Sequence, residues 1–196
     1  MAQTLGDMQT GSILYLKEAG KDSAYYVYAH NYEQTRNGQG FTLLLRKNKS
    51  DKAYGARSEK GFWFGEEKNN VQLELDKLYE TWFDEDTKAA IETTKYPVTV
   101  AGKKDDVRTI ESKLFVFSSV ELNIIEQSGL YENALVGENL NGPAQYVQSN
   151  TWVRDNPEGS FVVNFVFIKS TRSYVTHVDQ DSTQFIQPIL CICVCQ

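Results

Sequence analysis

All three cysteines of the chain, Cys191, Cys193 and Cys195, stand at i, i+2 and i+4. This is the closest grouping of side chains that could bind a soft metal or carry redox chemistry. In an extended strand that spacing puts them on one face, about 6.5–7 Å apart. A disulfide requires Cβ atoms about 3.8 Å apart, and a shared zinc also draws thiolates closer than a straight strand allows. The expected role is therefore that of small apolar side chains on the buried face of a strand. An odd number of closely spaced thiols fits assembly in a reducing compartment.

The two histidines are His30 and His177. His177 shares a strand face with Asp179 if the strand continues, and Asp181 follows in the turn. A histidine beside a carboxylate is half of a base and orienter pair, or half of a metal site. The third member is missing, so a structural or exposed histidine is expected. An enzyme or metal-dependent carbohydrate binder built on His177, Asp179 and Asp181 is the alternative. Asp105-Asp106 and Asp179-Gln180-Asp181 read as solvated turns, because a hard cation needs six or more oxygens and the EF-hand spacing is missing. Asp84, Glu85 and Asp86 sit where carboxylates compensate a helix N-terminus. The sequence has no Gly-rich phosphate loop, Gly-x-Ser-x-Gly elbow, His-Glu-x-x-His or Cys-x-x-Cys. No catalytic residue, metal or cofactor is expected.

Aromatic side chains are the more informative group: 11 Tyr, 10 Phe and 3 Trp in 196 residues. Some must form the core, but rings in long loops also stack on sugars or anchor partners. Tyr54, Phe62, Trp63, Phe64 and Trp152 are the candidate binding surface. Composition narrows the partners. With 20 basic against 26 acidic residues the net charge is -6, which argues against a surface built for nucleic acid or anionic lipid. Met1 to Gly11 carries no basic cluster followed by an apolar run, so no secretory signal is expected. No apolar stretch approaches the roughly 20 residues of a membrane helix.

The elements that would position these residues follow from periodicity. Ser12 to Lys17 reads as a strand with both faces covered. Ala24 to His30 and Phe41 to Leu45 read as an antiparallel hairpin joined across Gln34 to Gly40. Arg46 to Gly65 is expected to be a long ordered loop whose aromatic cluster packs on the core. Val71, Leu75, Leu78, Tyr79 and Trp82 carry helical spacing with Asn69 or Asn70 as N-cap, and a second helix is expected over Glu85 to Thr93. Tyr96 to Ala101 is extended, Gly102 to Asp106 is a turn, and Lys113 to Ser118 holds a strand at Phe115 to Phe117. Ser118 and Glu121 form a capping box opening a third helix. Ile125 to Ser149 is irregular. Strands are expected at Asn150 to Arg154, Ser160 to Lys169, Arg172 to Val178 and Phe185 to Val194. Strands at both ends with helices between them define an α+β class, and with no internal repeat or linker, residues 1–196 read as one domain.

The order of blocks from Leu73 onward carries a resemblance. A helix with Leu and Trp is followed by Ile91-Glu92-Thr93-Thr94, then by Lys113-Leu114-Phe115-Val116-Phe117-Ser118-Ser119-Val120-Glu121. Next come Thr151-Trp152-Val153-Arg154, a hairpin, and Gln187-Pro188-Ile189-Leu190-Cys191-Ile192. This resembles an uncharacterised domain family frequent in bacteriophage and gut-bacterial proteins and related to the C-type-lectin-like and formylglycine-generating-enzyme-like folds. Gln187 stands where that family has an arginine. The calcium motifs of lectins are absent, and the terminal cysteines do not resemble a copper-binding pair. Trp152 and Arg154 are the positions carried over most closely, and Arg154 thereby joins the candidate surface. The resemblance implies a C-type-lectin-like α+β fold with antiparallel sheets. It implies a non-enzymatic bacteriophage virion protein made in the host cytoplasm, either a capsid decoration or a tail-tip or fibre receptor-binding component. Its partners would be other virion proteins and a host-surface glycan, with the chain acting as an oligomer or lattice-bound subunit. A host-encoded ligand-binding module is the other alternative.

Overall fold

The computed structural model describes residues 4–55, 68–100, 103–118, 120–122, 146–148, 151–154, 162–169, 172–179 and 182–193. In chain order, the first half contains β1 (Ile13–Glu18), β2 (Lys21–Ala29), α1 (Gln34–Asn37), β3 (Phe41–Arg46), β4 (Ala53–Gly55), α2 (Asn70–Trp82) and α3 (Glu85–Ala90). There follow β5 (Ile91–Glu92), β6 (Thr94–Val100), β7 (Lys103–Ser112), β8 (Thr151–Trp152), β9 (Val162–Lys169), β10 (Arg172–Asp179), β11 (Thr183–Phe185) and β12 (Ile189–Cys193). The class is α+β.

One sheet has the order β1-β2-β3-β12-β5, a second β10-β9-β8-β11-β4, and β6 and β7 form a separate ribbon. Every pairing is antiparallel except β8 with β11. The expected pairing of β2 with β3 is present, with a register shift between Val27 and Ala29. Strand β1 joins β2 through a two-residue turn in which Ala19 and Gly20 have φ of 47° and 77°. Two successive positive φ values are the mark of a type I′ turn, whose twist matches that of the strands it joins.

The core lies where β2, β3 and β12 meet α2 and the segment 114–118. Tyr25, Leu44, Leu190, Leu75, Phe115 and Phe117 are all buried in it. Tyr96 and Phe115 stack with centroids 4.3 Å apart, and Tyr28 tilts onto Phe117 at 4.6 Å. Much of the aromatic content is therefore consumed inside the protein.

Helix α2 forms as its spacing predicts, with Val71 and Leu75 turned inward. Asn69 Oδ1 accepts the Gln72 N–H at 2.8 Å as its N-cap. The Asp84 carboxylate caps α3 by accepting the Thr87 N–H at 2.8 Å, and the hydrogen bonds of Thr87 hold that carboxyl below the usual range. Helix α3 ends at Ala90 rather than Thr93 because Ile91 and Glu92 pair with β12.

Four other expectations are corrected. The outer face of β1 is open: Ile13 and Tyr15 are exposed while Leu14 and Leu16 are half-buried. The Lys103 to Asp106 stretch is part of β7 rather than a turn: Lys103 pairs with Val100, and after a register shift the ladder resumes with Val107 opposite Thr99. Phe115 to Phe117 is buried but irregular, joined to β12 by an isolated bridge from Phe115 to Ile189. The Phe185 to Val194 stretch is two strands in different sheets, parted at Ile186 to Pro188. The loop aromatics Phe62, Trp63 and Phe64, and the body of the irregular stretch at 123–145, lie outside the described residues. Among the described residues no helix is long and apolar enough to cross a membrane.

Candidate binding groove and the buried ionic centre

Ser118 and Glu121 make the reciprocal contacts of a capping box: Ser118 N–H donates to Glu121 Oε2 at 2.9 Å and Glu121 N–H to Ser118 Oγ at 3.2 Å. The same carboxylate receives the guanidinium of Arg154, Nη1 to Oε2 and Nη2 to Oε1, each at 2.5 Å. It also accepts the Tyr32 hydroxyl at 2.6 Å. Two more Arg154 donors go to main chain, Nε to the Pro97 carbonyl at 3.0 Å and Nη1 to the Val116 carbonyl at 2.9 Å. Its guanidinium carbon lies 5.1 Å from the centre of the Tyr96 ring. Arg154 and Glu121 are 1% and 0% exposed. A charge pair so completely removed from water is tolerable only with this degree of hydrogen bonding. Burial, followed by the Glu121 charge, pushes the Tyr28 and Tyr32 hydroxyls upward.

Trp152 is buried as well, and its indole N–H donates to the Tyr54 carbonyl at 2.8 Å, tying β8 to β4. Trp152 and Arg154 are thus corrected from surface candidates to interior fasteners. The spacing of Trp152 and Arg154 on one strand face is as compatible with a structural pair as with a ligand contact, and their burial decides for the former. Tyr54 is half-buried, and burial raises its hydroxyl. Cys191 is buried, and Cys193 is half-buried and unbridged, as expected of strand residues; burial pushes the Cys191 thiol up. Cys195 and Asp181 lie outside the described residues. His177 and Asp179 stand two apart on β10, opposite Asn164 and Val162 of β9. His30 bridges segments: its Nε2 donates to the Met8 carbonyl at 2.8 Å, and its Nδ1 accepts from Thr42 Oγ1 at 3.0 Å. Among the described residues no three His, Cys, Asp or Glu side chains converge as metal ligands.

A second ionic group sits under α2. Glu18 accepts from Arg46 Nη2 at 2.8 Å, from Ser23 at 2.8 Å, and from Tyr25 by a short hydrogen bond. Burial opposes the Glu18 charge, but the hydrogen bonds of Arg46 and Tyr25 outweigh it and hold the carboxyl below its usual range. The Arg46 guanidinium carbon also lies over the Trp82 ring, 4.4 Å from its centre.

An accessible depression lies elsewhere among the described residues. The outward face of α2 and the end of β7 enclose a groove of about 690 Å³ lined by Leu73, Lys77, Glu80, Glu111 and Lys113, among others. Tyr79, Glu80 and Lys113 also line an adjoining hollow of about 480 Å³ that runs toward α3. Leu73, Lys77 and Glu80 follow at i, i+4 and i+7, one stripe of the helix. Leu73 is 44% exposed. Lys113 Nζ is anchored to the Ile91 carbonyl at 2.5 Å, and Lys88 bridges Glu85 at 3.1 Å and Glu80 at 3.4 Å. Those two carboxylates, Glu85 foremost, hold the Lys88 ammonium above its usual value. The groove is a mixed-charge channel with an apolar lip, able to grip an extended or zwitterionic partner by contact and ion pairing. Sequence reading missed it because its residues look like the ordinary solvated face of a helix.

No known protein family, no curated protein and no solved structure matches this chain.

Proposed function

We propose that the protein is a non-enzymatic structural component of a bacteriophage virion, a capsid decoration or a tail-tip or fibre receptor-binding part, built on a C-type-lectin-like scaffold. The observation that carries the binding role is a division of labour. Two ion pairs largely removed from water are bound within the scaffold, Glu18 to Arg46 and Glu121 to Arg154. A groove of about 690 Å³ is instead lined by exposed Leu73 between lysines and glutamates, a composition suited to contact with another macromolecule. The virion assignment rests on the order of sequence blocks, and the bacteriophage setting brings with it action in repeated copies.

Mass spectrometry and cryo-microscopy of purified particles test this reading. The protein is expected in the particle at a defined copy number with the α2 face against a neighbour or toward the host. Its absence from purified particles overturns the virion assignment. A particle in which Leu73→Asp with Lys77→Glu is incorporated and binds host cells as wild type overturns the groove.

A further inference from the structure

Asn37 and Gly38 form an Asn-Gly pair, as do Asn141 and Gly142, which lie outside the described residues. An asparagine before glycine is chemically labile, because no Cβ on the next residue hinders attack of its main-chain nitrogen on the side-chain amide. In this fold both reacting groups are engaged. Asn37 ends the single turn of α1, and its carboxamide pairs with the main chain of β6. Its Nδ2 donates to the Lys95 carbonyl at 2.9 Å and to the Tyr32 carbonyl at 3.3 Å, while Oδ1 accepts the Lys95 N–H at 2.7 Å. Asparagine suits this place because its carboxamide carries both the donor and the acceptor of a peptide group. The Gly38 N–H is donated back to the Gln34 carbonyl at 2.9 Å. A helix of four residues has little stability of its own. The turn therefore relies on its contacts with the β6-β7 ribbon, to which Arg36 Nε adds a bond to Thr109 Oγ1 at 3.2 Å.

We infer that Asn37 is a site of spontaneous deamidation that the fold holds shut, and that the modification, once made, keeps α1 from closing again on β6. In the reaction the Gly38 nitrogen gives its proton to hydroxide or another solvent base and attacks Asn37 Cγ. The Cγ–Nδ2 bond breaks, the side-chain nitrogen leaves as ammonia with a proton from water, and a five-membered succinimide remains. One water then opens the ring: cleavage at Asn37 Cγ yields aspartate, and cleavage at the Asn37 main-chain carbonyl carbon yields isoaspartate. Attack requires the carboxamide to leave Lys95 and the Gly38 N–H to leave Gln34. The rate is thus that of the open chain scaled by the fraction of time the turn is detached. The product cannot restore the contacts. A carboxylate has no donor, and it would face the Lys95 and Tyr32 carbonyl oxygens that Nδ2 now bonds, acceptor against acceptor. Isoaspartate also lengthens the main chain by one methylene. This chemistry does not depend on the chain belonging to a particle.

Peptide mapping by mass spectrometry tests the inference, on the full chain incubated at neutral pH in buffer and in unfolding guanidinium chloride. In the denaturant Asn37 and Asn141 should deamidate at similar rates, both then being Asn-Gly pairs of an open chain. In native protein Asn37 should react at least about tenfold more slowly than in denaturant. Asn37→Asp, a homogeneous stand-in for one product, reads the consequence. Its Lys95 N–H should exchange with deuterium at least about tenfold faster than in wild type, with circular dichroism as the check on folding. The comparison of native and denatured wild type stands without that variant. The inference is overturned by a native Asn37 rate equal to the denatured one, or by an Asn37 that stays intact in denaturant while Asn141 reacts. A folded Asn37→Asp protein with Lys95 N–H as protected as in wild type overturns it equally.

Discussion

Arg154 grips Glu121 with two parallel hydrogen bonds of 2.5 Å in a site from which water is excluded. Through the Pro97, Val116 and Tyr32 contacts this one pair ties β6, the segment 114–118 and the turn before α1 to the end of β8. Removing one partner leaves the other charged and buried, at a cost of about 3–5 kcal/mol. Arg154→Met and Glu121→Gln should each destabilise the protein on that scale in denaturant unfolding. The double variant should lose much less than the sum of the two. Additive losses would show that the two residues do not act as a unit.

The buried phenols give an alkaline signature. Burial and the nearby carboxylates raise Tyr25 and Tyr32 far above the ordinary value of about 10, and burial chiefly raises Tyr28 and Tyr96. A group whose folded value is raised stabilises the fold fully below its unfolded value and loses that contribution as pH climbs through the folded one. Absorbance titration should therefore leave these four of the 11 tyrosines protonated in native protein until the fold itself is lost. A single reversible ionisation of all tyrosines near pH 10 in folded protein would contradict the buried arrangement.

The Tyr28 hydroxyl is buried with no hydrogen-bond partner among the described residues. Taking a polar atom out of such a place removes a desolvation cost. Tyr28→Phe should thus be neutral or up to about 1 kcal/mol more stable; a loss above that size would mean the hydroxyl has a partner.

Acid acts on the other ionic group. The folded Glu18 carboxyl lies below its unfolded value of about 4.3, so its contribution is present above that value and is lost as pH falls through the folded one. Glu18→Gln should be clearly less stable than wild type at pH 7, and the gap should narrow as pH drops toward 3. A gap that stays constant would remove the ion pair from the account.

Ala19 holds φ of 47° in the β1 to β2 turn, a left-handed conformation that glycine adopts without the Cβ penalty. Ala19→Gly is expected to raise the melting temperature, by the equivalent of about 1 kcal/mol. A lower melting temperature would mean that the turn is not of this type.

Local chemistry was readable from the chain where it was self-contained. The spacing of Val71, Leu75 and Trp82, the Asn69 cap and the Ser118 to Glu121 box depend on neighbours within a few residues, and each is where the pattern places it. What could not be read was long-range. Nothing near Arg154 marks Glu121 as its partner. Likewise, Asn37 completes β6 from a distance: its amide donates to the Lys95 carbonyl at 2.9 Å and accepts the Lys95 N–H at 2.7 Å, in the manner of a strand. The alternation in Ser12 to Lys17 showed two apolar faces, but which face stays open depends on what packs against the sheet. The groove was illegible for the same reason, since α2 and the end of β7 meet only in three dimensions.

Strand β12 lies between β3 and β5, with Ile189 opposite Leu45 and Ile192 opposite Ile91. During synthesis, β1, β2 and β3 emerge well before β12 and can zip together, yet the apolar flank of Leu43 to Leu45 must wait until Ile189 to Cys193 leave the ribosome before it has its neighbour. The loop closure that completes the sheet brings residues 41–45 to residues 189–193, a long separation that slows folding and leaves a sticky nascent intermediate. A strand made long after the first three is the wedge that locks them in place.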